Sequence, residues 1–459
     1  MDLFSPDDPR PIHFVGIAGA GMSALALLAR RRGIPVSGCD ADPAQAADVS
    51  AAGAQVLAGH DPTHVDGVRA VVYTAAVPAD HPELAAARAA GIQVVRRAAA
   101  LAQAVAGATV VGVAGTHGKT TTTVMTTEAL AAAGRDPTGL AGGRVRAWGG
   151  NARMGGAGLF VVEADEYDHA FLELWPTVAV VTNVEADHLE CYGSIEALEE
   201  AFATYAGRAE RVLVGADDSG ARRVARELAA KRWLVGRARD ADLRIGPVHA
   251  EAAESVTDLT LPDGRTCTLR LRVPGLHNVR NGAMAVGAAV ALGAPVEPAL
   301  EALAAFSGVG RRFDVVGEVG GVVVVDDYAH HPTEVAATLA AARQRYPAAR
   351  LVAVFQPHLY SRTAALCEEL GIALALADVA VVTEVYGARE RPLPGVSGRS
   401  VAEAARRAGA ETVWVPGRPG VAREVSALVR AGDVVLTLGA GDVTGVGPEL
   451  LGMLRGRAA

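Results

Sequence analysis

The sequence predicts an α/β protein of three domains: two doubly wound, Rossmann-like domains flank a central one whose parallel sheet carries a small antiparallel addition. Three observations predict it. Apolar runs of strand length alternate with Ala-rich runs of helix length along the whole chain, the pattern of parallel βαβ units. Two glycine-rich turns, at 16–21 and 115–118, each follow a strand and open a helix. At 459 residues the chain is also too long for one ordinary core, and the length prior is about three domains.

Composition narrows the class. Half of the residues are hydrophobic and only 4% aromatic, so the cores must be built from Ala, Val and Leu. The net charge is −8 and there is no basic tail or Lys/Arg run of the kind typical of nucleic-acid binding, so no nucleic-acid partner is expected. The acidic, Pro-rich start MDLFSPDDPRP is no signal peptide. No uncharged apolar run reaches the ~18 residues of a membrane span, so no membrane partner and a cytoplasmic location are expected. Cys39, Cys191, Cys267 and Cys367 show no metal-type spacing and read as reduced, mostly buried thiols. Arg31 and Arg32 end a helix, a solvated position that suits the helix dipole.

The first domain covers residues 1–107. In IHFVGIAGAGMSA a strand runs into Gly16, Gly19, Gly21 and Ala24, and Gly19-x-Gly21-x-x-Ala24 fits the dinucleotide fingerprint. Asp40 closes the next strand, where an acid usually holds a ribose hydroxyl. The pattern alone leaves open an NAD-type ligand, another pyrophosphate, or none.

The second domain covers 108–312 and reads as a P-loop ATPase domain. In TVVGVAGTHGKTTTTVM a buried strand leads to Gly115, Gly118, Lys119 and Thr120, then a helix. Backbone N–H groups and the helix N-terminus cradle phosphates, Lys119 reaches the outer ones, and the Thr120 hydroxyl ligates Mg²⁺. Lysine occurs only at 119 and 231, against 43 basic residues in all. A chain that uses arginine almost everywhere keeps a compact ammonium here. Strands LFVVEADEYD and TVAVVTNVEADH are apolar throughout and end in acids, so Glu163, Asp165, Asn183, Asp187 and His188 are expected to converge on those phosphates. Glu163 with Thr120 offers Mg²⁺ oxygen ligands; His188 is placed to take a second Mg²⁺ or a substrate carboxylate. Residues 241–273, with a DG turn at Asp263-Gly264, read as antiparallel strands.

The third domain, 313–459, alternates strands and helices again, with Pro332 opening a helix. Arg311-Arg312 sit at the hinge into it, placed to clamp transition-state charge. Asp326, Asp327, His330 and His331 follow a buried strand and read as a second polar site.

Eight motifs in order carry a resemblance: HFVGIAGAGMSA, AGTHGKTTTT, EADEYD, TNVEADHLECYG, GLHNVRNGAMA, GVGRRFD, DDYAHHPTEV and FQPHLYSRT. With them the chain resembles the Mur ligase family across all three domains, and within it the alanine-adding branch. That resemblance implies a cytoplasmic enzyme of peptidoglycan biosynthesis using ATP and Mg²⁺. It would join L-alanine to the carboxylate of UDP-N-acetylmuramate through an acyl phosphate, as a monomer or weak homodimer. A related recycling ligase, which attaches a tripeptide, is the alternative.

The resemblance also implies site roles. The first domain would hold the UDP-sugar rather than NAD, through Gly16, Gly19, Ala20, Gly21, Met22, Ser23, Asp40 and Thr74, with His117 and Asn183 from the second. ATP would meet Gly115, Thr116, His117, Gly118, Lys119, Thr120, Thr121, Arg311, Arg312 and Asp326, with adenine at His277, Asn278 and Asn281. Tyr328, His330 and Arg362 would hold the amino acid. Thr120, Glu163 and His188 would hold metal, and Lys119, His188, Arg312 and Glu163 would be catalytic. The third domain would close over the site. Two departures stand out. Residues 189–230 contain no Lys, so the carbamylated lysine of several Mur ligases is missing. Leu359 stands where the alanine-adding enzymes carry Arg, which shifts the carboxylate contact onto Arg362.

Overall fold

The computed structural model describes residues 3–228, 231–388 and 390–458. Three sheets follow one another along the chain. Strands β1 (Ile12–Val15), β2 (Val36–Asp40), β3 (Gln55–Ala58), β4 (Ala70–Tyr73) and β5 (Gln93–Arg96) form the first, in the order β3-β2-β1-β4-β5. All its pairings are parallel. The chain reverses direction across the sheet at β1, so the crevice beyond the carboxyl ends of β1 and β4 is where such a fold takes a ligand.

The second sheet is built from β6 (Thr109–Ala114), β7 (Thr138–Val145), β8 (Gly150–Arg153), β9 (Leu159–Glu163), β10 (Val178–Val181), β11 (Arg211–Gly215), β12 (Arg232–Gly236), β13 (Leu243–Ile245), β14 (His249–Ala250), β15 (Ser255–Thr260) and β16 (Thr266–Leu271). Its order is β14-β15-β13-β12-β11-β10-β6-β9-β7-β8, with β16 on β15. The Gly-rich stretch after the phosphate loop, which carried no strand signal, forms the antiparallel β7–β8 pair. The antiparallel strands do not stand apart: β15 pairs with β13 and so extends the parallel sheet at its edge.

The third sheet holds β17 (Asp314–Val319), β18 (Val322–Asp327), β19 (Arg350–Phe355), β20 (Val379–Thr383), β21 (Glu411–Val415) and β22 (Asp433–Leu438), in the order β17-β18-β22-β19-β20-β21. It is parallel except for β17, which folds back on β18 through Gly320-Gly321. The run SRTAALCEELG forms two helices, Tyr360–Ala365 and Cys367–Leu374.

The three sheets gather into two compact units. One comprises 1–247, 257–270 and 280–306; the other 248–256, 271–279 and 307–459. The first two expected domains share one unit because their cores are continuous, with Phe14 and Leu25 in the same apolar cluster as Phe160 and Val181. Polar ties add to this: Asn151 Nδ2 donates to Ser23 Oγ at 3.0 Å, and Arg96 pairs with Asp168 at 2.9 Å. Arg32, read as a solvated helix end, donates to the Ala104 carbonyl at 2.6 Å and lies 5.9 Å over the Phe160 ring. The second unit begins before residue 313 and takes in 248–256 and 271–279. Gln344 grips both stretches, donating to Glu251 O and Ser255 Oγ and accepting from Gly275 N. Of the four free cysteines only Cys39 is buried; the other three are half-buried, which corrects the expectation.

Candidate active site

In the first unit, β6 delivers the phosphate loop between its own two parallel neighbours, β9 and β10. Their carboxyl ends therefore frame the loop. Helix Lys119–Ala132 starts behind Gly118, whose φ is +80°. Gly115 has φ +133°, a value that disfavours any L side chain, and a Cβ there would run into Thr182 Oγ1. Gly115→Ala is therefore expected to cost roughly 2–4 kcal/mol of stability and most nucleotide affinity, read by denaturation and by ADP titration calorimetry.

The Lys119 ammonium donates to Gly115 O at 2.7 Å and to both oxygens of Glu166 at 2.8 and 2.7 Å. Burial works against this charge, and the Glu166 carboxylate outweighs it, so the lysine stays protonated well above its ordinary range. Glu166 sits inside EADEYD, yet the sequence gave no reason to prefer it over its acidic neighbours. Among those, Asp165 turns to Arg97 at 3.5 Å. Thr120 Oγ1 donates to Glu163 Oε1 at 3.1 Å, and the other Glu163 oxygen accepts from Gly142 N at 2.6 Å. Two oxygen donors this close fit a hard cation such as Mg²⁺. Gly142 is glycine for space, since a Cβ would lie 2.7 Å from Glu163 Oε2.

The backbone of the loop is held from β10. Thr116 N donates to Asn183 O, and the Asn183 side chain takes both His117 N (2.8 Å) and His117 O (3.1 Å). Asn183, expected on the sugar, thus spends its amide on the loop. The His117 ring lies 3.3 Å from Glu185, and Thr121 is buried in the helix. Asn281 packs its amide against Gly118, within the same unit. His277 and Asn278 belong to the other unit, where Asn278 Nδ2 donates to Pro274 O at 2.7 Å. His188 opens the short helix Leu189–Tyr192 at φ +53°. Its ring contacts run to Glu190 (3.3 Å), Asp187 (3.8 Å) and the Tyr167 ring (5.1 Å), and not to the Thr120–Glu163 pair.

In the glycine loop of the first sheet, Gly16 has φ +77° and sends its N–H to Cys39 O. Asp40 accepts from Ala18 N at 3.0 Å, so it sets the loop. Met22 and Ser23 are buried, and Ala20 O accepts from Asn151. These side chains hold the loop from behind. What remains at the loop surface is its backbone, with Gly19, Gly21 and the half-buried Thr74 beside Gly16. The Arg97 guanidinium also packs on Gly21. Arg97 was missed because one of two adjacent arginines after a strand looks like any surface residue.

The second unit has its own polar site, beyond the carboxyl ends of β18, β19 and β22. Arg311 (φ +57°) is anchored to Asp326 at 3.3 Å and Gly439 O at 2.8 Å. Arg312 is held more loosely, 3.7 Å from Glu334. Both guanidinium groups lie over the Tyr328 ring, at 4.8 and 5.1 Å. From Tyr328 a run of rings continues through His330 (5.3 Å), His358 (5.7 Å) and Tyr386 (5.9 Å). Arg362, buried, reaches His358 at 3.3 Å. His358 and Tyr386 were missed, since only the pairing of their two loops stacks one ring on the other. Leu359 holds φ +66° at the head of this helix, a strained conformation of the kind that clusters at functional sites.

Two expected site residues have internal duties. His331 caps helix Pro332–Arg345 in a capping box with Glu334. Asp326 is buried and accepts from Thr437, Thr444 and Arg311. Asp327 accepts from Phe313 N and Ala329 N at 2.8 Å each. Burial raises it to about 6 against the nearby Arg312 charge. The fold therefore keeps this proton where the unfolded chain has lost it. The stability this confers is full below about pH 4 and lost as pH rises through about 6. The stability of the wild type relative to Asp327→Asn is expected to be about 1 kcal/mol greater at pH 5 than at pH 7 by urea denaturation.

Comparison with known proteins fits this geometry. The model of the Mur ligase family, catalytic domain, matches residues 11–109; that of the Mur ligase middle domain matches 113–289; that of the Mur ligase, glutamate ligase domain, matches 311–441. The UDP-N-acetylmuramate–L-alanine ligase of Kineococcus radiotolerans is 47% identical over 456 residues, 97% of this chain and 96% of its own. That of Cutibacterium acnes is 42% identical over 467 residues, 100% of this chain and 99% of its own. Among solved structures, the UDP-N-acetylmuramate-alanine ligase of Thermotoga maritima matches with a TM-score of 0.84 at 30% identity, covering 97% of this chain and 99% of that one. The murein peptide ligase of Psychrobacter arcticus matches at 0.73 and 26%, covering 97% and 98%. With all three domain models in order and relatives alike from end to end, the chain belongs to the Mur ligase family.

Proposed function

We propose that this protein is an ATP-dependent ligase that joins L-alanine to the carboxylate of UDP-N-acetylmuramate, in peptidoglycan biosynthesis. The observation that carries the reading is the loop holding Lys119, with Thr120 and Glu163 beside it, in a chain whose full-length relatives are alanine-adding ligases. The first sheet's glycine loop binds the UDP pyrophosphate through its backbone N–H groups. Lys119 leaves Glu166 for the β- and γ-phosphates, spreading their charge.

Thr120 and Glu163 supply oxygens to Mg²⁺, which when bound neutralises phosphate charge. A muramate carboxylate oxygen then attacks the γ-phosphorus; the bond to the β–γ bridging oxygen breaks, and ADP leaves. The deprotonated amine of L-alanine attacks the acyl carbon, and inorganic phosphate leaves as the amide forms. Arg312, the less anchored of its pair, offsets charge on the transferred phosphoryl group, while His188 orients the muramate carboxylate. Tyr328, His330 and Arg362 hold the amino acid, Arg362 by its carboxylate. The reaction is placed in the cytoplasm, where both nucleotides are available, and no helix among the described residues is long and apolar enough to cross a membrane.

Phosphate release with UDP-N-acetylmuramate and ATP is expected to require L-alanine. Release at an equal rate with a tripeptide in its place would instead identify the recycling reaction that the murein peptide ligase likeness raises.

A further inference from the structure

Three of the twelve histidines, His13, His60 and His64, lie together on one face of the first sheet, and their side chains take no part in the sites described above. His13 is on β1 and Cys39 on β2. His60 follows β3, His64 lies in the 3₁₀ turn Pro62–Val65, and Glu83 is in the first turn of helix Pro82–Ala89. The surrounding face is apolar, with Val15, Val65, Val71 and Leu84. A carboxylate has no place in such a core unless a positive charge meets it.

Glu83 is fully buried, and the groups that face it are a thiol and imidazole rings. Cys39 Sγ donates to its Oε2 at 3.0 Å, His13 Nε2 lies 3.4 Å from the same oxygen, and His64 Nδ1 lies 2.9 Å from Oε1. His13 is itself wholly buried, and its Nε2 makes no hydrogen bond. The other nitrogen of that ring is 3.0 Å from Ser37 Oγ, one strand over. In the tautomer whose Nδ1–H donates to that hydroxyl, the Nε2 lone pair faces Glu83.

We propose that His13, Cys39, His64 and Glu83 form a binding site for one transition-metal ion, with Zn²⁺ as the ion the donor set suits. One donor atom from each lies within 4.8 Å of all the others. A tetrahedral Zn²⁺ with bonds of about 2.0–2.3 Å sets its ligand atoms about 3.3–3.7 Å apart, so side-chain shifts of up to about an ångström complete the shell. One sulfur, two imidazoles and one carboxylate are ligands zinc accepts. The charges also close: a thiolate and a carboxylate cancel a divalent ion, which resolves the buried Glu83 charge. Without metal the thiol is held protonated, by burial first and by Glu83 next, so loading releases its proton to solvent. His60, 3.2 Å from Cys39 Sγ and about one-third exposed at 35%, stands at the solvent side as the way in. The role is structural: Cys39 O accepts from Gly16 N and Ile17 N, so the ion would pin β2 to β1 directly under the glycine loop.

The test is Co²⁺ titration of the chelator-stripped full-length protein, followed by absorption. One equivalent is expected to give a thiolate-to-cobalt charge-transfer band that Zn²⁺ bleaches, and saturating Zn²⁺ to raise Tm by about 2–5 °C. Cys39→Ser should lose the band and Cys367→Ser should keep it. His64→Gln, on the accessible rim, should weaken Co²⁺ at least about tenfold while keeping the wild-type circular dichroism. No band in the wild type at tenfold excess Co²⁺, a band retained in Cys39→Ser, or unchanged affinity in His64→Gln would each overturn the assignment. His64→Gln decides the matter should Cys39→Ser not fold.

Discussion

Replacement of Lys119 by alanine is expected to lower kcat roughly a thousandfold or more and, independently, to destabilise the protein. The first effect follows from the loss of the one ammonium in the phosphate loop, where preorganised charge in a dry site is worth far more than in water. The second follows from Glu166, only 2% exposed at its side chain. With Lys119 gone its carboxylate is buried without a counter-charge, which costs about 3–5 kcal/mol. The two effects separate in a double variant. Lys119→Ala with Glu166→Gln should recover most of the stability by urea denaturation and none of the phosphate release. A double variant no more stable than the single one would show that Glu166 is not the buried partner. Lys119→Arg should not restore turnover, because a planar fork cannot replace a compact ammonium between Gly115 O and Glu166.

Glu163→Ala should leave stability nearly unchanged and reduce turnover by about a hundredfold at limiting Mg²⁺. Glu163 is half-buried at the end of β9, and of the two groups that donate to it Gly142 is exposed, while Thr120 is buried at the start of its helix. Its loss therefore removes an oxygen ligand without opening the core. High Mg²⁺ should restore part of the rate. The signature is a raised half-saturation for Mg²⁺ at constant Tm, measured by phosphate release. An unchanged Mg²⁺ dependence would move the metal away from β9.

The same pair of residues shows what kind of site information a sequence carries. Thr120 and Glu163 were legible because each ends a continuous apolar strand or begins the helix behind it, and strand ends in a parallel sheet point to one edge. Glu166 was not, because EADEYD offers four acids and nothing in the run says which one turns inward to Lys119. Asn183, Asp40 and Ser23 were rightly placed beside the ligand loops, but their polar atoms are spent on backbone N–H and C=O groups or on Asn151. Hydrogen-bond accounting of that kind needs coordinates.

The sequence by itself determined the three sheets, the order of strands and helices in them, the phosphate loop with its lysine, and the family. These rest on local periodicity and on short motifs whose residues act within one turn of chain. Only the tertiary structure decided the rest. The first two sheets share one core because their apolar faces meet, which no window of sequence displays. Tyr386 joins His358 because two distant loops pair. The largest gap lies at Cys39, whose spacing to other cysteines carried no metal signal. Its partners are two histidines and a glutamate drawn from β1, a 3₁₀ turn and a helix. Parallel packing, with strands about 4.8 Å apart, brings them within bonding reach of one ion.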